Sequence, residues 1–255
     1  RLPAPFGLVR YGVAPDHQKT KNIIRLFSKY LFDKNVFYFG NVEIGKDIDI
    51  NFLSDTYDAV ILSSGAPDDK SLEISGTEHE NVFGSAEFVG WYNGNPDYEN
   101  LSPDLSGHNA VIIGNGNVAL DCARVLAKTK EEFYNSDIMS YSLKKLVNSN
   151  IENIYIVGRR TPKDAKFTIA ELRELSELKL FLPLVDYEKD LLEQYLLTED
   201  IETKIKKNIE VLINFKKNLK KSNKKIIFKF LSTPHEILNN EGKKSLVLKK
   251  NVIEN

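Results

Sequence analysis

The chain has 255 residues, enough for one large domain or two small ones. Hydrophobic residues make up 42% and charged residues 28%, so a sizeable core is available, and the net charge of −1 gives no global field for nucleic acid. A single cysteine, Cys122, excludes an intrachain disulfide, a CxxC redox pair and a four-thiolate iron–sulfur site, and it points to a reducing compartment.

The four histidines, His17, His79, His108 and His235, show no metal-ligand spacing. No stretch approaches the ~18 apolar residues of a membrane span. The chain opens at Arg1-Leu2-Pro3-Ala4-Pro5 without Met or a leader pattern, and it reads as an internal piece of a longer protein.

The first segment is a Pro- and Gly-punctuated loop leading into a helix. Asp16 is its expected N-cap, and Ile23, Ile24, Phe27, Tyr30 and Leu31 recur at helical spacing. Three short apolar runs follow, Val36–Phe39, Val42–Ile44 and Ala59–Leu62. Each is β-branched or aromatic and ends at a turn residue, so each reads as a strand. Residues 63–105 read mostly as loop, with turn signals at Trp91 to Pro96.

A second domain opens with Ala110-Val111-Ile112-Ile113, a buried-type strand. Helices are expected at about 117–128 and 137–148, and a strand at Ile154–Val157. Another helix starts near 168, helical pattern runs to about 215, and strands follow at Ile226–Phe230 and near 246. This alternation predicts an α/β fold with a mostly parallel sheet. Residues 204–225 hold nine lysines. They read as a solvated helix face followed by a loop.

The strongest chemical signal is Gly114-Asn115-Gly116-Asn117-Val118-Ala119, between a strand and a helix. Gly114 permits a tight turn, Gly116 lets backbone approach a pyrophosphate, and Ala119 allows close helix–strand packing. The helix N-terminus offers free N–H groups to the phosphates.

At the end of the next strand stand Val157-Gly158-Arg159-Arg160. An NAD site places an acid here for the ribose 2′-OH. Two arginines instead suit a phosphate dianion, so the expected cofactor is NADP; a surface arginine pair is the plainer alternative. Thr168-Ile169-Ala170-Glu171 opens the following helix, and its spacing favours a capping box over catalysis.

Several motifs resemble the adrenodoxin reductase family, the mitochondrial-type NADPH–ferredoxin reductases. They are Phe6 to His17, Gly40 to Gly45, Phe88 to Gly94, Gly114 to Asp121, Val157 to Arg160 and Phe167 to Glu174. The resemblance covers about residues 5–175. It implies two Rossmann-like dinucleotide-binding domains, an NADP domain inserted into an FAD domain. Residues 1–105 would be part of the FAD domain and 106–255 the NADP domain. The family's first strand and FAD glycine motif would precede residue 1, and its closing segment would follow residue 255.

The implied activity passes a hydride from NADPH to FAD and single electrons on to a [2Fe-2S] ferredoxin. By the same resemblance, Asn115 to Val118 wrap the NADP pyrophosphate and Arg159 and Arg160 hold its 2′-phosphate. Glu171 contacts the nicotinamide end, and His17 and Asp121 lie near the flavin–nicotinamide contact. Ile44, Ser63 and Gly65 touch FAD. Arg173 matches a partner-docking position, and Lys204, Lys206 and Lys207 add basic character. The implied setting is the mitochondrial matrix, with no nucleic acid and no integral membrane segment. Two rivals are an electron-input subunit of a glutamate-synthase-like flavoenzyme and a non-catalytic NADP-binding module. The first usually carries cysteine-rich segments, which this sequence lacks.

Overall fold

The computed structural model describes residues 1–66, 69–197, 201–217, 221–240 and 243–252. The chain divides into two compact units. The first comprises the described residues of Arg1–Lys70, with Ala86–Leu101 and Asn135–Met139; the second comprises Ser71–Ser85, Ser102–Tyr134 and the described residues of Ser140–Asn255.

The first unit is helical. It contains α1 (Gly7–Tyr11), α2 (Gln18–Lys21), α3 (Ile23–Leu31), α4 (Ile50–Thr56) and α5 (Ser85–Asn93), the last beginning at the edge of the second unit. Its core is built on Trp91 and Tyr92, both fully buried, with the Phe88 ring 5.5 Å from each. The turn signals at 91–96 therefore mark the end of a helix rather than a loop.

A buried lysine ties this unit together. Lys21 Nζ donates to Asp137 Oδ1 at 2.7 Å and to Asn93 Oδ1 at 3.4 Å. The Asn93 amide in turn donates to the carbonyls of Tyr11 and Val13. This network fixes the loop that carries His17. The capping expectation for Asp16 fails: His17 occupies the N-cap position of α2, and Asn22 separates α2 from α3.

The three apolar runs expected as strands are not strands. Residues 36–39, 42–44 and 59–62 are coil, apart from an isolated bridge between Ile44 and Ile48. Phe37 is 78% exposed and Ile61 88%. Composition favours a pleated backbone, but a strand forms only where its N–H and C=O groups find a ladder. These runs have none among the described residues.

The second unit is an α/β layer built on four parallel strands in the order β1-β2-β4-β3. In chain order it holds β1 (Asn109–Ile113), α6 (Asn117–Ala127), α7 (Ser140–Val147), β2 (Asn153–Val157), α8 (Ile169–Glu174), β3 (Phe181–Asp186), α9 (Lys189–Leu196), α10 (Thr203–Lys217) and β4 (Lys224–Lys229). An antiparallel hairpin of β5 (Ser232–Asn240) and β6 (Lys243–Lys250) follows. Ile112 pairs with Ile156, and Ile156 with Phe228.

Ile154, Ile156, Ile226 and Phe228 are fully buried, as are Leu172 on α8 and Ile209 and Leu212 on α10. The Phe228 ring touches Phe167, Phe215 and Phe230 at 6.1 Å each. This aromatic cluster closes the core under α8 and α10.

Three sequence expectations change here. Residues 110–113 form an edge strand among the described residues, with Val111 and Ile113 each 43% exposed, not a buried one. The helical pattern expected to about 215 is broken by β3, whose apolar run Phe181-Leu182-Pro183-Leu184-Val185 pairs with β4. Pro183 is tolerated because β3 lies at the sheet edge. β5 was also not expected; it pairs with the strand anticipated near 246. Residues 218–220 of the lysine-rich stretch lie outside the described residues.

Candidate dinucleotide-binding site

β1 is followed by Gly114, whose φ of +132° is a conformation that a side chain would strain. Its N–H donates to the Val157 carbonyl at 2.8 Å, joining the turn to the end of β2. Gly116, extended, is the N-cap of α6, and it supplies no side chain to cap the first amides. A Cβ built on Gly116 would meet nothing within 4 Å. The space over this turn is open, so a pyrophosphate fits against backbone N–H groups at the start of an eleven-residue helix. Val118 is half exposed at that first turn, while Ala119 is buried and packs inward.

The loop before α8 clasps the same turn. The Lys166 N–H donates to the Asn115 carbonyl at 2.7 Å, and the Thr168 N–H donates to Asn117 Oδ1 at 2.7 Å. The Thr168 hydroxyl accepts from the Glu171 N–H at 3.4 Å, so Thr168 caps α8, but its own N–H goes to Asn117 and the reciprocal half of the expected capping box is not formed. A full capping box forms one element earlier, between Thr161 and Asp164. Glu171 is half-buried in the first turn of α8.

Arg159 and Arg160 are both exposed beyond the end of β2. Gly158 just before them lies against the Asn115 side chain: a Cβ on Gly158 would come within 1.7 Å of Asn115 Nδ2 and would have to displace that amide. Its backbone thus lets the arginine segment and the Gly114–Asn117 turn come together.

A buried guanidinium joins the two carboxylate-bearing helices. Arg124, 2% exposed, donates from Nη2 to Asp121 Oδ1 at 2.7 Å, and its Nε lies 3.2 Å from Glu174 Oε2. It sits one turn beyond Asp121 on α6 and bridges to the end of α8. Sequence reasoning missed Arg124, although its i,i+3 spacing from Asp121 is a visible signal.

Within the second unit, then, the structure gathers Gly114, Asn115, Gly116, Asn117, Val118, Arg159 and Arg160 around one turn. Asp121 and Glu171 stand on the helices that flank it. His17, half-buried, lies in the first unit, as do Ile44, Ser63 and Gly65. The last three are all exposed and by themselves offer a surface, not an enclosed pocket. Arg173, Lys204, Lys206 and Lys207 are exposed on α8 and α10.

No protein-family model matches the chain. Individual relatives do. The chain is 41% identical over 255 residues to the NADPH-ferredoxin reductase FprA of Mycobacterium tuberculosis, covering 98% of this chain and 55% of that protein. It is 47% identical over 186 residues to the mitochondrial NADPH:adrenodoxin oxidoreductase of Drosophila melanogaster, covering 73% and 39% respectively. Its homologues are the NADPH–ferredoxin reductases of the adrenodoxin reductase family.

The solved structure of Mycobacterium tuberculosis FprA in complex with NADPH superposes with a TM-score of 0.87 at 35% identity, covering 98% of this chain and 61% of that one. The α/β fold with a parallel sheet is thus the fold of the reductases. The chain spans about half the length of the curated relatives it matches. No helix among the described residues is long and apolar enough to cross a membrane.

Proposed function

We propose that this chain is the NADPH-binding part of a flavoprotein reductase that serves a [2Fe-2S] ferredoxin. The observation that carries the reading is the open Gly114–Asn117 turn beside the exposed Arg159–Arg160 pair. Backbone amides at the start of α6 bind the pyrophosphate. The two guanidinium groups hold the 2′-phosphate through parallel charged hydrogen bonds. Lys166 and Thr168 pin the turn by backbone bonds, so it is preorganised.

Glu171 is proposed to contact the nicotinamide end, and Asp121 and His17 to take part in hydride transfer. FAD enters from redox arithmetic. A nicotinamide gives two electrons as hydride and a [2Fe-2S] centre takes one, so bound FAD supplies the two-to-one conversion. Ile44, Ser63 and Gly65 are proposed to contribute part of its surface. The mitochondrial fly relative supports a mitochondrial setting, and the mycobacterial relative shows the same family outside it.

The test replaces Arg159 and Arg160 with Ala in the full-length protein. This removes charge-assisted bonds worth roughly 1.5–3 kcal/mol each. NADPH affinity is expected to fall a hundredfold or more, with NADH affinity almost unchanged. Equal losses for the two cofactors would overturn the assignment.

A further inference from the structure

The root of the β5–β6 hairpin grips the arginine segment along its backbone. The Ser232 N–H donates to the Gly158 carbonyl at 3.0 Å, and the Leu231 N–H donates to the Arg160 carbonyl at 3.1 Å. Between them, Asn251 Nδ2 donates to the Arg159 carbonyl at 2.6 Å. Three consecutive carbonyls, from Gly158 to Arg160, are thus held by one structural element. Two of the bonds come from main chain and survive any ordinary substitution there. The third comes from a side chain.

That side chain is locked. Asn251 Nδ2 also donates to Thr233 Oγ1 at 2.9 Å, while Asn251 Oδ1 accepts from the Thr233 hydroxyl at 3.1 Å. Both amide hydrogens and the amide oxygen are therefore engaged, and a flipped amide would aim its oxygen at the Arg159 carbonyl. The Asn251 N–H further donates to the Leu231 carbonyl at 2.7 Å. Leu231 has a φ of +51°, an uncommon backbone for a leucine. Its left-handed turn is bracketed by Arg160 on one side and Asn251 on the other. Such a conformation persists where its surroundings over-determine it, often beside a functional site.

We propose that Asn251, oriented by Thr233, is a positioning residue that sets the backbone of the Arg159–Arg160 pair and so sharpens discrimination for the 2′-phosphorylated nicotinamide cofactor. Paired guanidinium groups reward precise placement, because their forked donors must meet phosphate oxygens in a fixed plane. The inference rests on the assignment of that pair to the 2′-phosphate. It adds that the hairpin, outside the dinucleotide-binding turn, is part of the specificity apparatus.

The experiment measures Kd for NADP+ and for NAD+ by calorimetry on the full-length protein, with a thermal melt of each variant. Asn251→Asp keeps the shape but turns the donor into an acceptor facing the Arg159 carbonyl. NADP+ affinity is expected to fall about tenfold, with NAD+ affinity unchanged. Thr233→Val, which removes the partner that orients the amide, is expected to act in the same direction and more weakly. It decides the matter if Asn251→Asp does not fold. The Arg159→Ala/Arg160→Ala protein is the reference. If it loses its NADP+ preference while Asn251→Asp and Thr233→Val keep theirs, the hairpin is only structural and the inference fails. Parallel losses for NADP+ and NAD+ in the Asn251 variant overturn it equally. If the double arginine variant keeps its preference, the 2′-phosphate assignment itself is wrong.

Discussion

Arg124 shows how a buried charge is used in this fold. Burying a guanidinium costs several kcal/mol unless it is paired, and here Asp121 and Glu174 pair it from two helices. The result is a rigid link between α6, which carries the dinucleotide turn, and α8, which carries Glu171. Arg124→Met leaves both carboxylates without that partner. Glu174 is 37% accessible and recovers water, so the expected loss is at the low end of the range for broken buried pairs, about 3 kcal/mol. Urea denaturation of the full-length variant checks this. A loss within about 0.5 kcal/mol, as for ordinary surface sites, would mean that the bridge does not bear on stability. The residues of the glycine turn and the arginine pair were legible because each has a chemical reason at a fixed offset from a strand. Arg124 was legible only in part, through its i,i+3 spacing from Asp121, and Asn251 was not, since their remaining partners lie across the fold: Glu174 on α8 and Thr233 on the hairpin.

Among the elements, α10 separates two readings of one composition. The composition of the stretch from Lys204 predicts a solvated face, and Lys204, Lys206 and Lys207 are exposed. The opposite face buries Ile209, Leu212, Ile213 and Phe215 against the sheet. Leu212→Ala is therefore expected to cost about 2–5 kcal/mol, whereas Lys206→Ala stays within about 0.5 kcal/mol. Chemical denaturation of the two variants compares them directly, and similar small losses would show that α10 is not packed as described. Helices with a polar face of this kind announce themselves through periodicity. Strands did so less well. The 36–39 run and β3 are both short and apolar, yet among the described residues only β3 meets a partner, β4, at the right register. Periodicity reports the faces of an element and carries no information on whether a ladder awaits it.

Across the chain, a net charge of −1 leaves no long-range field, so the ferredoxin partner proposed above would have to be drawn by a local patch. The candidates, Arg173 on α8 and Lys204, Lys206 and Lys207 on α10, belong to helices that pack together within the second unit. Arg173 is exposed in the last turn of α8, and the lysines are exposed in the first turns of α10. Exposed charges of this kind act mainly on encounter rate and are screened over about 8 Å at physiological salt. Reversing Arg173 and Lys206 to Glu in the full-length protein is therefore expected to slow ferredoxin reduction about tenfold or more at low ionic strength, and to flatten its dependence on salt. Reduction of a small uncharged acceptor should stay nearly unchanged, because that reaction does not use the patch. Rates measured with both acceptors across a salt series separate the outcomes. If both activities fall together, the two residues support the fold. If neither falls, the basic face of α10 is solvated surface with no role in docking.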